Sequence, residues 1–168
     1  KILSGLIHPK EGHLTINNKS IYDEKNLHYN WKKIIGYADQ KIIFSNETVL
    51  NNIAFGVRSE NIDKILVEDC LEKVDLLKFF NEKSDKLNMF LGENGIKLSA
   101  GQLQKLNIAR ALYSKPKILI LDEITNNLDK KSQENILKLL ISIKRESLII
   151  IASHSNLILD QCDEIIKL

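Results

Sequence analysis

Proline, tryptophan and cysteine are scarce in this sequence, whose 168 residues include two prolines, one tryptophan and two cysteines. The cysteines, Cys70 and Cys162, lie far apart and have no CxxC spacing. We therefore expect reduced thiols in a cytosolic protein, without a disulfide framework or a metal site. No apolar run approaches the ~20 residues that a membrane span needs, and no signal peptide is recognisable. Any association with a membrane is expected to depend on a partner.

An excess of charge of one sign is lacking too. Lys and Arg number 24 and Asp and Glu number 22, which leaves a formal net charge of +2. Because nucleic-acid binding depends on an excess of basic residues, we expect no nucleic-acid partner. The remaining composition, 43% hydrophobic and 27% charged, is typical of one globular domain with a sizeable core.

Short apolar runs without alternation predict buried strands at residues 34–38, 118–121 and 148–152. A shorter strand is predicted at residues 14–16, followed by a turn at Asn17-Asn18 because asparagine tolerates positive φ. Ile165-Ile166 is predicted to begin a further strand. Continuously apolar strands separated by helices indicate an α/β fold with a mostly parallel sheet.

Apolar residues at helical spacing predict helices at residues 62–76, 103–114 and 130–144. The middle of the chain, residues 41–113, has helical signal and little strand signal. We interpret this region as a helical insertion into a core formed by residues 1–40 and 114–168.

Two adjacent acids, Asp122 and Glu123, follow the apolar strand at residues 118–121. Ligands of parallel sheets bind at this end of the strands, and two carboxylates there are costly unless a cation meets them. Asp122 suits a Mg²⁺ ion that also binds phosphate and water, and Glu123 suits a base that accepts a proton from attacking water. The alternative is an ordinary acid pair solvated in a loop.

A second candidate motif, Ser99-Ala100-Gly101, precedes the predicted helix at residues 103–114. Free amide groups and the helix dipole favour an anion at such a helix start. Gly101 permits close approach of the backbone, and Ser99 adds a hydroxyl donor. The alternative is that Ser99 is a plain helix N-cap.

Further motifs occur in order along the chain: Gln40 follows the strand at residues 34–38, Asn126-Asn127-Leu128-Asp129 follows the acid pair, and His154 follows the strand at residues 148–152. This order resembles the nucleotide-binding domain of an ATP-binding-cassette (ABC) protein. Residues 98–102 are similar to the LSGGQ signature of that family, with Ala100 in place of its first glycine, and residues 118–123 are similar to the Walker B strand. The resemblance implies a P-loop NTPase (RecA-like) core with an inserted helical subdomain that carries the signature.

The resemblance also implies ATP and Mg²⁺ as ligands and a role for each matching residue at the chain's own nucleotide. Gln40 would contact Mg²⁺ and the attacking water, and would couple the site to a transport domain. Asp122 would hold Mg²⁺, Glu123 would be the general base, and His154 would bond the γ-phosphate.

A head-to-tail dimer with a second ATPase domain is implied as well. In that dimer the signature residues Ser99, Ala100, Gly101 and Gln102 would bind the nucleotide of the partner copy, and Asp129 of the D-loop would bridge the two subunits.

Residues 44–56 and the run Gly92-Glu93-Asn94-Gly95 resemble segments of ABC exporters, although a simple turn remains the alternative for Glu93-Asn94-Gly95. The resemblance thus implies an ATPase that powers export. It would lie at the cytoplasmic face of the cell membrane, bound or fused to a transmembrane domain.

The family's phosphate-cradling loop, GxxxxGK[ST], does not occur in the 168 residues. Family spacing places its lysine several residues before Lys1, and the family usually continues beyond residue 168. We expect the sequence to be truncated at both ends and, as given, to bind ATP weakly or not at all. Two alternatives stay open: a soluble ABC ATPase of DNA repair or translation, and a non-catalytic remnant that only dimerises.

Overall fold

The computed structural model describes residues 1–22, 25–92, 97–126 and 128–167, with residues 25 and 26 described by their backbone alone. The exporter-like residues 93–95 and Asn127 of the D-loop lie outside the described residues. The chain begins with a small antiparallel pair, β1 (Thr15–Ile16) and β2 (Lys19–Ser20). Asn17 and Asn18 turn between them with φ of 50° and 63°, as predicted. Helix α1 follows at Lys25–Lys33.

The central sheet consists of three parallel strands in the order β3–β4–β5. Their bounds are Ile35–Ala38, Ile118–Asp122 and Leu148–Ala152. In the middle strand β4, Leu119 and Leu121 are fully shielded from solvent. Because helices separate these strands along the chain, the parallel α/β class expected from the sequence is confirmed.

The region between β3 and β4 is helical in its described part, and four α-helices lie in it: α2 (Val49–Ile53), α3 (Lys64–Lys73), α4 (Leu77–Asn81) and α5 (Ala100–Tyr113). Helix α3 is shorter than predicted. Asp63 caps its start by accepting a hydrogen bond from the Leu66 amide, and Asp75, with φ of +55°, ends the helical path just after it.

Helix α5 joins this helical region to the sheet, since it packs against β3 on one side and α2 and α3 on another. Its buried residues Leu106 and Ile108 belong to the same core as Leu119 and Leu121 of β4. At Gly36 the approach of β3 is so close that an added Cβ would lie 2.5 Å from the Ala111 carbonyl oxygen. A side chain on that strand position is therefore excluded.

The C-terminal part of the chain contributes α6 (Lys130–Ile143) and the short α7 (Asn156–Leu159). The further strand predicted at Ile165-Ile166 is wrong: in the described segment up to residue 167, both residues are exposed and neither is in a strand. Two apolar residues among exposed polar neighbours bury too little surface to hold a strand. Within the described residues, no helix is both long enough and apolar enough to cross a membrane.

Candidate functional site

The carboxyl ends of the three parallel strands bring the predicted strand-end residues to one edge of the sheet. Ala38 is paired with Leu121, and Asp122 with Ala152. Gln40, Glu123 and His154 lie one or two residues beyond the strand ends that this register aligns. The sheet therefore gathers residues from three distant parts of the chain at the edge where ligands of such sheets bind.

Asp122 is the last residue of β4 and is half-buried. Its Oδ2 accepts a hydrogen bond of 3.0 Å from the Tyr37 hydroxyl on β3. Burial raises the pKa of Tyr37 well above its usual value, and the hydrogen bond to Asp122 raises it further. The tyrosine therefore stays a hydrogen-bond donor to Asp122 across the physiological pH range.

Glu123 leaves the strand in a left-handed conformation with φ of +51°, which costs about 1 kcal/mol for a residue with a side chain. The amide of Glu123 still bonds to the Ala152 carbonyl of β5 at 2.9 Å. One carboxylate oxygen, Oε1, lies 3.1 Å from His154 Nε2. A carboxylate accepts only, so this contact places a proton on Nε2.

The other oxygen of this carboxylate, Glu123 Oε2, is buried and has no hydrogen-bond partner among the described residues. A buried acceptor without a partner is costly and indicates a position where a water or ligand donates. The Glu123 side chain is 17% exposed, whereas His154 is 92% exposed. His154 can therefore turn toward a ligand while Glu123 stays fixed.

Gln40 follows β3 and is exposed. The residue before it is anchored: the Asp39 carbonyl accepts a 3.0 Å bond from the amide of buried Asn107 on α5. The Asp39 carboxylate pairs with Lys1 at 2.9 Å. Burial opposes ionisation of Asp39, but the bonds from Lys1 and from the Lys41 amide hold its pKa below its usual value. These contacts of Asp39 fix the backbone directly before Gln40.

The signature residues form the start of α5. Ser99 Oγ accepts from the Gln102 amide at 3.2 Å, and Gln102 Oε1 accepts from the Ser99 amide at 2.9 Å. This capping box explains why α5 begins at Ala100, three residues earlier than predicted. Helix geometry leaves the amides of Ala100 and Gly101 without intrahelical acceptors, as an anion site requires.

The signature lies beside the start of α6. A Cβ added at Gly101 would lie 3.0 Å from Ser132 Oγ. Asp129 caps α6 by accepting the Ser132 amide at 2.7 Å, and its hydrogen bonds with Ser132 lower the pKa of the Asp129 carboxyl. Gly101 of the signature and Asp129, the predicted bridging residue, therefore both lie beside Ser132.

Within the described residues, no hydrogen bond or ion pair joins the signature group, Ser99 to Gln102, to Asp122, Glu123 or His154. The two sets of predicted residues form separate groups in one chain. The roles that the resemblance implies for them stay predictions.

Three positioning residues escaped the sequence reasoning: Tyr37, Asn107 and Gln133. Gln133 Nε2 donates to the Leu128 carbonyl at 3.1 Å and to that of Thr125 at 3.4 Å, so it fixes the D-loop. Tyr37 could have been found from the sequence, because it carries the single hydroxyl in the otherwise apolar strand at residues 34–38. Asn107 and Gln133 are amides within predicted helices and carried no signal.

A magnesium ion fits the residues at the strand ends. The described residues contain no cluster of three or more His, Cys, Asp or Glu that could hold a metal by themselves. Mg²⁺ seldom requires one, because it takes one or two carboxylates and fills its other positions with phosphate and water. Asp122 supplies such a carboxylate, and the unpartnered Glu123 Oε2 supplies an acceptor for a metal-bound or attacking water.

A second well-defined cluster surrounds Arg110 of α5. Its guanidinium donates to the Asn52 carbonyl at 2.8 Å, to the Ile43 carbonyl at 2.7 Å and to Asn52 Oδ1 at 3.0 Å. It also stacks over Phe44, 4.3 Å from the ring centre, and lies 5.4 Å from the ring centre of Phe55. Burial lowers the pKa of Arg110 to about 10, which leaves it charged at neutral pH. Arg110 thus organises the exporter-like residues 44–56.

Comparison with known proteins gives consistent matches. A family model described as "ABC transporter" matches residues 1–126. The lactococcin-G-processing and transport ATP-binding protein LagD of Lactococcus lactis subsp. lactis is 33% identical over 168 residues, which is 100% of this chain and 23% of that protein. An ATP-dependent lipid A-core flippase of Cupriavidus pinatubonensis is 36% identical over 135 residues, 80% of this chain and 23% of the flippase.

Among solved structures, a bacterial Atm1-family ABC exporter with ATP bound matches with a TM-score of 0.75 and 27% identity. The match covers 91% of this chain and 26% of the exporter chain. The chain thus spans about a quarter of the length of these relatives. The similarity supports the P-loop NTPase fold predicted from the sequence.

Proposed function

Because the chain belongs to the ABC transporter family, we propose that it is the ATP-hydrolysing domain of a transporter of the exporter type. The observation that carries the proposal is the Glu123 carboxylate. One of its oxygens lies 3.1 Å from His154 Nε2, and the other is buried beside the end of β4, where none of the described residues gives it a hydrogen bond. This geometry suits a base that accepts a proton from water attacking a phosphate.

Each strand-end residue has a proposed role in hydrolysis. Asp122 binds Mg²⁺, which when bound neutralises charge on the phosphates. Glu123 orients the attacking water and accepts its proton at Oε2. His154 donates its Nε2 proton to Glu123 in this structure and turns to donate it to the γ-phosphate when nucleotide binds, and Gln40 orients the water. Catalysis then rests on positioning and on electrostatic stabilisation rather than on covalent chemistry.

We propose that the signature serves the nucleotide of a second ATPase domain. Ser99, Ala100, Gly101 and Gln102 lie at a helix start that favours an anion, yet within the described part of the chain no hydrogen bond or ion pair joins them to Glu123. A head-to-tail dimer brings this surface to the partner's phosphates. Asp129, beside the signature at the start of α6, bridges the two copies.

A transmembrane domain is the proposed second partner, at the cytoplasmic face of the membrane. Ile43, Phe55 and Phe90 expose between 54% and 67% of their surface. Arg110 binds the Ile43 carbonyl and lies 5.4 Å from the ring centre of Phe55, and Phe90 forms a β-bridge with Thr48 of the same exporter-like segment. Exposed apolar residues gathered in this way are typical of interaction sites. The names of the relatives, a flippase and a transport protein among them, support coupling to a membrane partner.

The test is phosphate release from ATP by the natural gene product that contains residues 1–168, since the proposal requires a phosphate-binding loop from outside this range. We expect Glu123→Gln to lower the hydrolysis rate by about a hundredfold or more, because a general base contributes 10² to 10⁴. Glu68→Gln, an equal change at an exposed position of α3, is the matched control and leaves the rate unchanged. Hydrolysis by Glu123→Gln at the wild-type rate would refute the assignment of the base.

A further inference from the structure

We propose that the Tyr37 hydroxyl is a positioning group for the metal-binding carboxylate of Asp122. The inference rests on the proposed function, because it takes Asp122 as the ligand of Mg²⁺. Its basis is the 3.0 Å hydrogen bond from the Tyr37 hydroxyl to Asp122 Oδ2.

The register of the sheet explains how this contact arises. Tyr37 on β3 is paired with Ile120 on β4, so the two side chains point to the same face of the sheet. Asp122 is two residues beyond Ile120 and therefore shares that face. Two residues along a parallel strand span about 6.6 Å, which matches the reach of a tyrosine ring and its hydroxyl. A shorter polar side chain at position 37 would not reach the carboxylate.

The hydroxyl is not required for packing. β3 is otherwise an apolar run of Ile35, Gly36 and Ala38, all of them buried, and phenylalanine would fill the space of the ring equally well. A hydroxyl at such a half-buried position is unfavourable unless it finds an acceptor. Asp122 supplies that acceptor. The Tyr37 hydroxyl, which phenylalanine would lack, therefore acts on the Asp122 carboxylate.

Donation to one carboxylate oxygen fixes the rotation of the whole group. With Oδ2 occupied by Tyr37, Oδ1 is left as the oxygen for the metal, and the carboxylate is oriented before the metal arrives. Removing a group that hydrogen-bonds to a metal ligand typically lowers metal affinity by 10- to 100-fold. Tyr37 thus acts through Asp122 and does not contact the substrate.

The experiment measures Mn²⁺ binding by electron paramagnetic resonance in the natural gene product that contains residues 1–168, with a non-hydrolysable ATP analogue present. We expect Tyr37→Phe to raise the Mn²⁺ dissociation constant about tenfold. The matched control is Tyr113→Phe, which deletes a hydroxyl that accepts a 3.1 Å bond from the Asp63 amide, on α5 instead of at the strand ends. It should stay within about twofold of wild type.

Binding of the same analogue in EDTA, without metal, separates positioning from damage to the fold. Tyr37→Phe should leave this metal-free affinity unchanged. The inference is overturned if Asp122→Asn weakens Mn²⁺ binding while Tyr37→Phe matches wild type, or if Tyr37→Phe weakens metal-free binding as much as metal binding. If Asp122→Asn itself has no effect, the metal assignment in the proposed function fails and this inference fails with it.

Discussion

Replacing Gly36 with alanine tests how tightly β3 is held against α5, and thus how the strand that carries Tyr37 and leads to Gln40 is positioned. The new Cβ would lie 2.5 Å from the Ala111 carbonyl oxygen and 2.9 Å from Pro116 Cγ, whereas ordinary contact begins near 3.4 Å. The strand and the end of the helix must therefore separate by close to an ångström. Overpacking of this kind costs 1–3 kcal/mol, and because backbone and ring atoms yield little, we expect about 3 kcal/mol.

Urea denaturation of the wild type and Gly36→Ala measures this cost, and a loss of about 3 kcal/mol corresponds to a fall in Tm of roughly 6–12 °C for a chain of this size. Gly12→Ala is the control. Gly12 has φ of +79°, and no atom of the described residues lies within 4 Å of an added Cβ, so this change costs only backbone strain, about 1 kcal/mol. A Gly36→Ala loss no larger than that of Gly12→Ala would refute the argument from close packing.

Two more stability predictions follow from the described contacts. Arg110→Lys keeps the charge but cannot reproduce the three hydrogen bonds to Asn52 and Ile43. We therefore expect the free energy of unfolding, measured by urea denaturation, to fall by about 2 kcal/mol. A fall below about 0.5 kcal/mol would contradict the role of the guanidinium. Asp129→Ala removes the cap of α6. Hydrogen bonds with Ser132 lower the pKa of Asp129 in the folded state. The carboxylate therefore stabilises the fold fully above about pH 4, and less as the pH falls through the folded-state pKa. Thermal melts should show a Tm deficit at pH 7 that narrows below about pH 4, and a deficit independent of pH would contradict a contribution from the charge.

The strands of the central sheet could be predicted because each is a short apolar run separated from the next by helical segments, a pattern typical of parallel sheets. The two residues Ile165-Ile166 misled the same reasoning, since a pair of apolar residues does not specify a strand. The early start of α5 was predictable in principle: Ser99 and Gln102 have the spacing of a capping box. The apolar pattern alone begins the helix at Leu103, because the first residue at helical apolar spacing lies there.

In the candidate site, the location of Gln40, Glu123 and His154 at one edge of the sheet could be predicted, because each residue follows a predicted parallel strand. The contacts themselves could not be predicted. The Tyr37–Asp122 bond depends on strand register, and the Glu123–His154 contact depends on a left-handed φ that no residue type at position 123 signals. The separation of the signature from the acid pair depends on tertiary packing, and only the family resemblance indicated it.

We propose that Glu123 and Ser99 of one chain serve two different nucleotides. Mixing two inactive variants of the natural gene product tests it directly: Glu123→Gln, and Ser99→Asp, which keeps a good helix cap while setting a negative charge against the phosphate. In a mixed dimer, one site combines an intact Glu123 from one copy with an intact Ser99 from the other. An equal mixture should therefore recover about a quarter of the wild-type hydrolysis rate if copies pair at random. A mixture as inactive as either variant alone would contradict the claim.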